Sequence, residues 1–279
     1  MESALAGLCA VAMISASPGA ATGQSAGQAS GPAGPQFAAL AQAAASYSAE
    51  CKVNCPTFEG KAPLRKLRTA LRERRPVKVL AIGSSSTSGV GASSPGATYP
   101  VRLESDLEVL FKGTDINVIS RGVPGEAGHG AAERMRNEIA DVKPDLVVWQ
   151  VGTNDAMARV NTLAFAETLR STVRWFQRNK IDVVLVDPQF VERLSTDDHY
   201  QTIVKTITRI AREERVAIVY RYDAMADLAK RNGESAYLAN DRFHLNDLGY
   251  RCMAQYVAKA IIAGILTAEA EGLSQPSSN

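Results

Sequence analysis

Several features that would place the chain in a familiar class are missing or scarce. A surplus of one charge is absent: 31 Lys and Arg face 29 Asp and Glu, a net charge of +2. Such a chain has no overall field for nucleic acid or an anionic membrane. Cysteine is scarce, four residues in 279. Cys51 and Cys55 form C-x3-C with no further ligands close by, which argues against a zinc site. The apolar run Ala4 to Ala16 is too short for a stable membrane span. No internal repeat is evident. The Ser/Gly-rich segment after Ile82 lacks the Gly-Lys-Ser/Thr of a P-loop, and Thr87 breaks the G-x-S-x-G pattern.

What is present reads as one sizeable α/β domain with a substantial core. Ala4 to Ala16 has the length of a secretory h-region, with small residues Gly19, Ala20 and Ala21 where cleavage could occur. Its leading Met-Glu-Ser carries no Lys or Arg. Residues 1–21 are therefore expected to be a signal peptide and the protein periplasmic or secreted, or cytoplasmic if the segment is not a working signal. Residues 22–60 read as a flexible N-terminal segment. In an exported protein, a local Cys51–Cys55 disulfide across the Asn54-Pro56 turn is plausible, and Cys252 is expected to be a buried, inert thiol. The domain is expected over 61–270, followed by a disordered tail, 271–279. The basic run Arg65 to Arg75 has Leu64, Leu67 and Leu71 at helical spacing, as in a solvated amphipathic helix; a local anionic contact stays open.

From Val77 onward, strands and helices alternate. Val77–Ile82, Asp115–Ser120, Asp145–Val151, Ile181–Val186 and Val216–Tyr220 are near-continuous apolar strands. They are separated by helical patterns over Tyr99–Lys112, Ala131–Val142, Thr162–Lys180 and Asp198–Arg215; Met225–Arg231 and Asp247–Leu266 follow. Strands apolar on both faces, joined by amphipathic helices, predict a doubly wound parallel five-stranded sheet, a flavodoxin-like three-layer α/β/α fold of order 2-1-3-4-5. Ligands in such sheets bind beyond the carboxyl ends of the strands.

Four segments fall at that rim. Gly83-Ser84-Ser85-Ser86-Thr87 follows the first strand, and a serine there could be a nucleophile or part of a phosphate cradle. Ser86 and Ser88 are weaker choices. Gly122, in Ser120-Arg121-Gly122-Val123-Pro124-Gly125, could offer an unobstructed N–H or merely permit a turn. Asn154, in Gly152-Thr153-Asn154-Asp155, could donate to an oxyanion or cap a helix, and Asp155 could cap the helix that follows. Asp241-Arg242-Phe243-His244 places an acid three residues before a histidine, where it can fix the ring tautomer and leave Nε2 to take a proton. Gln189 and Phe190, after the fourth strand, could touch substrate. His129 reads as a solvated loop residue and His199 as a surface one.

Taken together and in this order, the four segments resemble the signature blocks of the SGNH hydrolases, also called GDSL esterases/lipases, over roughly Val77 to Leu266. The resemblance implies Ser85 as nucleophile, Asp241 and His244 as the rest of the triad, and the Ser85 N–H, Gly122 and Asn154 as the oxyanion hole. Ser84 stands where the name-giving Asp of the family usually sits. The implied activity is hydrolysis of carboxylic esters with short acyl or acetyl groups, through an acyl-enzyme and without metal or organic cofactor. The partner is then a small acyl ester or an acylated saccharide. A thioesterase or lysophospholipase stays open; the same residues would equally serve an O-acyltransferase acting on saccharide hydroxyls, and a non-catalytic module that keeps the fold is a further alternative.

Overall fold

A computed structural model describes residues 48–60 and 62–274. The signal peptide expected over 1–21, Cys9 and most of the flexible segment lie outside these residues, as does the end of the expected tail, 275–279.

The sheet has six strands: β1 (Phe58–Glu59), β2 (Val77–Gly83), β3 (Ile116–Gly122), β4 (Leu146–Gln150), β5 (Asp182–Val186) and β6 (Ala217–Val219). Their spatial order is β1-β6-β5-β4-β2-β3. β2 through β6 are parallel and in the expected order. β1 is an added edge strand, antiparallel to β6. Two residues carry no periodicity, so this strand has no mark in the sequence.

Side-chain alternation explains why both faces of the sheet are covered. In β2, Val79 and Ala81 face one core while Leu80 and Ile82 face the other. In β4, Leu146 and Val148 alternate with Val147 and Trp149 in the same way. Burying each large apolar side chain contributes roughly 1.5–3 kcal/mol. The first face is covered by α1 (Arg65–Arg72) and α3 (Tyr99–Leu110), through Leu67, Leu71, Leu103 and Leu107. α8 (Arg221–Asn232) and α9 (Asp247–Ser274) join them through Leu228, Val257 and Ile261. The second face is covered by α4 (Gly128–Val142), α6 (Thr162–Arg178) and α7 (Asp198–Glu213), through Met135, Phe176 and Ile207. Two single-turn helices, α2 (Ser85–Ser88) and α5 (Thr153–Met157), sit at the carboxyl ends of β2 and β4.

α9 is long and apolar enough to cross a membrane by length and composition. Most of its apolar window is buried within the domain, the position of a core helix. It runs to Ser274, four residues into the expected tail.

The cysteine expectations need correcting. Cys51 is bonded to Cys252, 201 residues away, not to Cys55, which is free. A short 3₁₀ turn, Ala49–Cys51, lies against α9, where Tyr256 donates its hydroxyl proton to the Cys51 carbonyl. That docking brings the two Cα atoms to 5.1 Å, within the range a disulfide spans. Cys252 is thus a bridge partner. Residues 48–60, the described part of the expected flexible segment, are tied down by this bond, by β1 and by the Ser48 N–H donating to Gln255.

Candidate active site

β2 delivers the chain to the rim and α2 turns it sharply back. A Cβ added to Gly83 would come within 2.6 Å of Thr87 Oγ1 and 2.7 Å of the Gln150 carbonyl, so only glycine fits this exit. The next residue is locked to β4: both the Ser84 N–H and its hydroxyl donate to Gln150 Oε1, each at 3.0 Å. Ser84 thereby ties the turn to the neighbouring strand.

Four serines occur at 84, 85, 86 and 88, and their bonding separates them. Ser84 is held by Gln150, Ser86 donates to Gln189 Oε1 at 3.2 Å, and Ser88 donates to the Ser85 carbonyl at 3.1 Å. Among the described residues the Ser85 hydroxyl makes no hydrogen bond, and neither does its backbone N–H at the first position of α2. An unsatisfied N–H at a helix start is a natural donor to an anion.

Gly122 ends β3 beside this turn. Any Cβ there would collide with the backbone of Thr87 and Ser88, so the absence of a side chain lets the strand end press directly on α2. The loop beyond it is clamped by Arg134 of α4. Arg134 pairs with both Glu126 carboxylate oxygens at 2.7 Å and donates to the Arg121 carbonyl at 2.8 Å. The Glu126 side chain holds the Arg134 guanidinium above its ordinary range.

Gly152 reaches α5 with φ of +104°, a left-handed conformation that glycine adopts without a Cβ penalty. Asn154 follows, half-buried, and its side-chain NH2 donates to the Glu126 carbonyl at 2.9 Å. A carbonyl only accepts, so this contact fixes which way the amide faces. The second N–H of that NH2 group has no acceptor among the described residues. Asp155 is buried, and both its oxygens accept the Gly128 N–H, at 2.9 and 3.0 Å. It therefore anchors the start of α4, not the helix that follows it in sequence. Burial pushes its carboxyl up from the ordinary range, against the hydrogen bond from Gly128.

The Asp241–His244 loop folds around the aspartate. Asp241 Oδ1 accepts the backbone N–H of Phe243 and of His244, each at 3.0 Å, while Oδ2 lies 2.6 Å from His244 Nδ1. Arg242 closes this tight turn at φ of +52°. Partial burial works against ionisation of Asp241, but the contacts from His244 and Phe243 hold it below the usual carboxylate range. The acceptor at Nδ1 assigns the ring proton to that nitrogen and leaves Nε2 as the basic one. The Phe243 ring meets the imidazole edge-on at 5.0 Å.

Two contacts bring the serine turn and the histidine loop together. Gly91, six residues after Ser85, packs so closely that a Cβ on it would lie 3.0 Å from His244 Cβ. Gln189 accepts from Ser86 and donates to the Phe243 carbonyl at 2.7 Å, spanning from the residue after Ser85 to the residue before His244. Gln189 is 1% exposed with both ends of its amide engaged by the protein. The Phe190 ring packs edge-on against Tyr222 at 5.4 Å and joins the cores on both faces. The expectation that Gln189 touches substrate is therefore corrected: the chain after β5 turns it inward, whereas Phe190 stays half-buried.

His129 is exposed on α4 and pairs with Glu133 at 3.2 Å. His199 is half-buried at the start of α7, less exposed than a surface reading implies. Beside the Asp241 loop opens a cleft of ≈ 400 Å³ lined by Glu192, Arg193, Glu234, Asp241 and Arg242. A larger cavity, ≈ 870 Å³, lies at the amino ends of the strands around Asp182; Ser85, His244 and Asp241 do not line it.

Arg221, Gln150 and Arg134 escape a reading of the sequence. Gln150 and Arg221 act through buried contacts with segments distant in the chain, and Arg134 through partly buried contacts 8 and 13 residues back, and no local pattern marks these. For Gln150 and Arg221 the weak signal available was a Gln inside, or an Arg at the end of, an otherwise apolar stretch; Arg134, between Glu133 and Arg136, has none.

A family model described as the Non-GDSL lipase-like family matches residues 50–267. No curated protein matches the chain. Among solved structures, an acetylxylan esterase from Geobacillus stearothermophilus is 23% identical with a TM-score of 0.58. That alignment covers 66% of this chain and 94% of the other. A two-domain esterase active on acetylated mannans is 20% identical with a TM-score of 0.58, over 80% of this chain and 57% of that one. A lipolytic protein of the G-D-S-L family from Desulfitobacterium hafniense is 18% identical with a TM-score of 0.51, over 66% and 99% of the two chains.

Proposed function

The chain belongs to the Non-GDSL lipase-like family, and from that premise we propose that it is a serine esterase that removes short acyl groups, acetyl above all, from saccharide hydroxyls. The observation that carries the reading is the selective freedom of Ser85. Its three serine neighbours are hydrogen-bonded within the protein, whereas its hydroxyl and N–H make no hydrogen bond among the described residues, on a turn packed against an Asp-oriented histidine loop.

In the proposed reaction, Ser85 Oγ attacks the ester carbonyl carbon while His244 Nε2 takes the hydroxyl proton. The C=O π pair moves onto the carbonyl oxygen, which the Ser85 N–H, the Gly122 N–H and the Asn154 amide receive. Collapse breaks the ester C–O bond, and His244 returns the proton to the departing alcohol. Water then attacks the acyl-Ser85, giving a proton to His244, which passes it to Ser85 Oγ as the acyl–oxygen bond breaks and the carboxylic acid leaves. Asp241 holds the ring and balances its transient positive charge.

The saccharide preference draws support from the cleft beside Asp241, which Ser85 and His244 do not line but whose Glu192, Arg193, Glu234, Asp241 and Arg242 can hydrogen-bond a hydroxyl-rich alcohol. The solved relatives named for acetylated xylan and mannan point the same way. The Cys51–Cys252 bridge favours an oxidising compartment, and so a periplasmic or secreted protein.

The test is turnover of p-nitrophenyl acetate and of acetylated xylo- and manno-oligosaccharides by the wild type beside Ser85→Ala. Acetate release by the wild type alone is expected. Equal turnover by both proteins would refute the nucleophile assignment, and a preference for long-chain esters would refute the substrate class. Acylated product on an added saccharide acceptor, in place of free acetate, would identify a transferase with the same residues.

A further inference from the structure

Behind α2 lies a buried polar chain that the proposed chemistry does not use. Arg221, at the start of α8, is fully buried. Its Nε donates to the Asp187 carbonyl at 2.9 Å and its Nη1 donates to Ser86 Oγ at 3.0 Å. Ser86 passes its own proton to Gln189 Oε1, and Gln189 Nε2 donates to the Phe243 carbonyl. Arg221 Nη2 has no partner among the described residues, and no carboxylate there forms an ion pair with the guanidinium. A fixed positive group thus sits one side chain away from the serine turn, and a single glutamine joins that turn to the histidine loop.

We propose that Ser86, Gln189 and Arg221 are positioning residues for the ester chemistry, a brace that sets Ser85 and His244 in register from behind. The proposal rests on the Ser85–His244 reading. Its physical basis is directional. Ser86 has one proton and two lone pairs. The guanidinium can only donate, so it occupies a lone pair and aims the Ser86 proton at Gln189 Oε1. That in turn aims the Gln189 NH2 at Phe243. The orientation of each member is dictated by Arg221, which cannot switch between donor and acceptor. None of the three reaches the proposed reacting atoms, so they act on the rate only through the placement of Ser85 and His244.

The experiment compares full-length wild type, Gln189→Met and Ser86→Ala. Gln189→Met keeps the shape and removes both hydrogen bonds, and Ser86→Ala removes the hub. Steady-state kinetics with p-nitrophenyl acetate are expected to show kcat lowered on the order of 10–10²-fold with KM within about twofold, the mark of misplacement without lost binding. Backbone amide exchange at Phe243, His244 and Leu245 is expected to quicken in both variants, and Ser86→Thr, which keeps the hydroxyl, to recover kcat at least in part. Unchanged kcat and unchanged exchange in these amides, in variants that remain folded, would overturn the brace. So would a fall in kcat that only follows a loss of thermal stability. If Ser85→Ala proves as active as wild type, the triad reading fails instead, and the exchange measurement still decides whether the brace holds the loop.

Discussion

Ser85 stands on a turn whose surroundings are buried and bonded, with Ser84 fixed to β4, Ser86 to Gln189 and Arg221, and Gly122 pressed against Thr87 and Ser88. Asp241 and His244 sit in a surface loop, where the Asp241 side chain is 49% and the His244 side chain 22% exposed. The loop is held mainly by its own aspartate, by the Ala239 N–H donating to the His244 carbonyl at 2.7 Å, and by Gln189. One wall is fixed by the core; the other is a local turn pinned at a few points. Preorganised donors stabilise developing charge without reorganising during the reaction, so the rigid wall is where the oxyanion should be met. In the proposed reaction the loop carries the group that takes and returns a proton, and slight freedom there is tolerable.

That contrast predicts a ranking. Ser85→Ala should be the most damaging change, lowering kcat on the order of 10⁴-fold or more, as loss of a serine nucleophile does elsewhere. Asp241→Ala should come next. It removes the ring's orienting acceptor and the acceptor for two backbone N–H groups at once. Solvent at this exposed loop can partly replace it, so a loss of roughly 10³-fold is expected, short of the loss for Ser85. Asn154→Ala should lower kcat by roughly 10²–10³-fold, the range for a single oxyanion donor, with KM little changed. Steady-state kinetics on one short ester measure all three, and a loss for Asp241→Ala as large as for Ser85→Ala would erase the distinction between the walls.

Smaller effects sharpen the same comparison through stability. The Cys51–Cys252 bond ties the amino-terminal turn to α9, away from both walls. Opening it in a Cys51→Ala/Cys252→Ala variant should cost about 2–4 kcal/mol in denaturant unfolding and leave kcat nearly unchanged. Asp187, behind the serine wall, is pushed up to about 8 by burial, against the Tyr222 N–H and the nearby Arg221. The folded protein therefore keeps a proton that the unfolded chain releases near pH ~4. This group's contribution is full below that pH and lost as pH rises toward 8. The denaturant midpoint should fall across this window, and Asp187→Asn should flatten the slope.

The parallel strands and their order were legible because each strand is a local apolar run bounded by a helix, and handedness leaves few arrangements. The four candidate segments stood out for a related reason: each lies at a strand end or just before the last helix, and Asp241 lies three residues from His244. The parts that were not legible are contacts between distant segments. Cys55 was the sequence-near partner for Cys51, whereas the fold supplied Cys252, because the 3₁₀ turn docks on α9. Gln189 read as a rim residue because it follows β5; its bonds to Ser86 and to the Phe243 carbonyl hold it inside instead. Arg221, a charge opening a helix, carried no hint that its guanidinium would lie beneath the serine turn.

Most depends on Ser85 being the one reactive serine among four. Treating the native protein with a fluorophosphonate ester and mapping the adduct by peptide mass spectrometry tests this directly. The prediction is a single phosphonyl group on Ser85, with ester hydrolysis lost in proportion to labelling. Labelling of Ser84, Ser86 or Ser88 instead, or full hydrolytic activity with Ser85 fully modified, would contradict it.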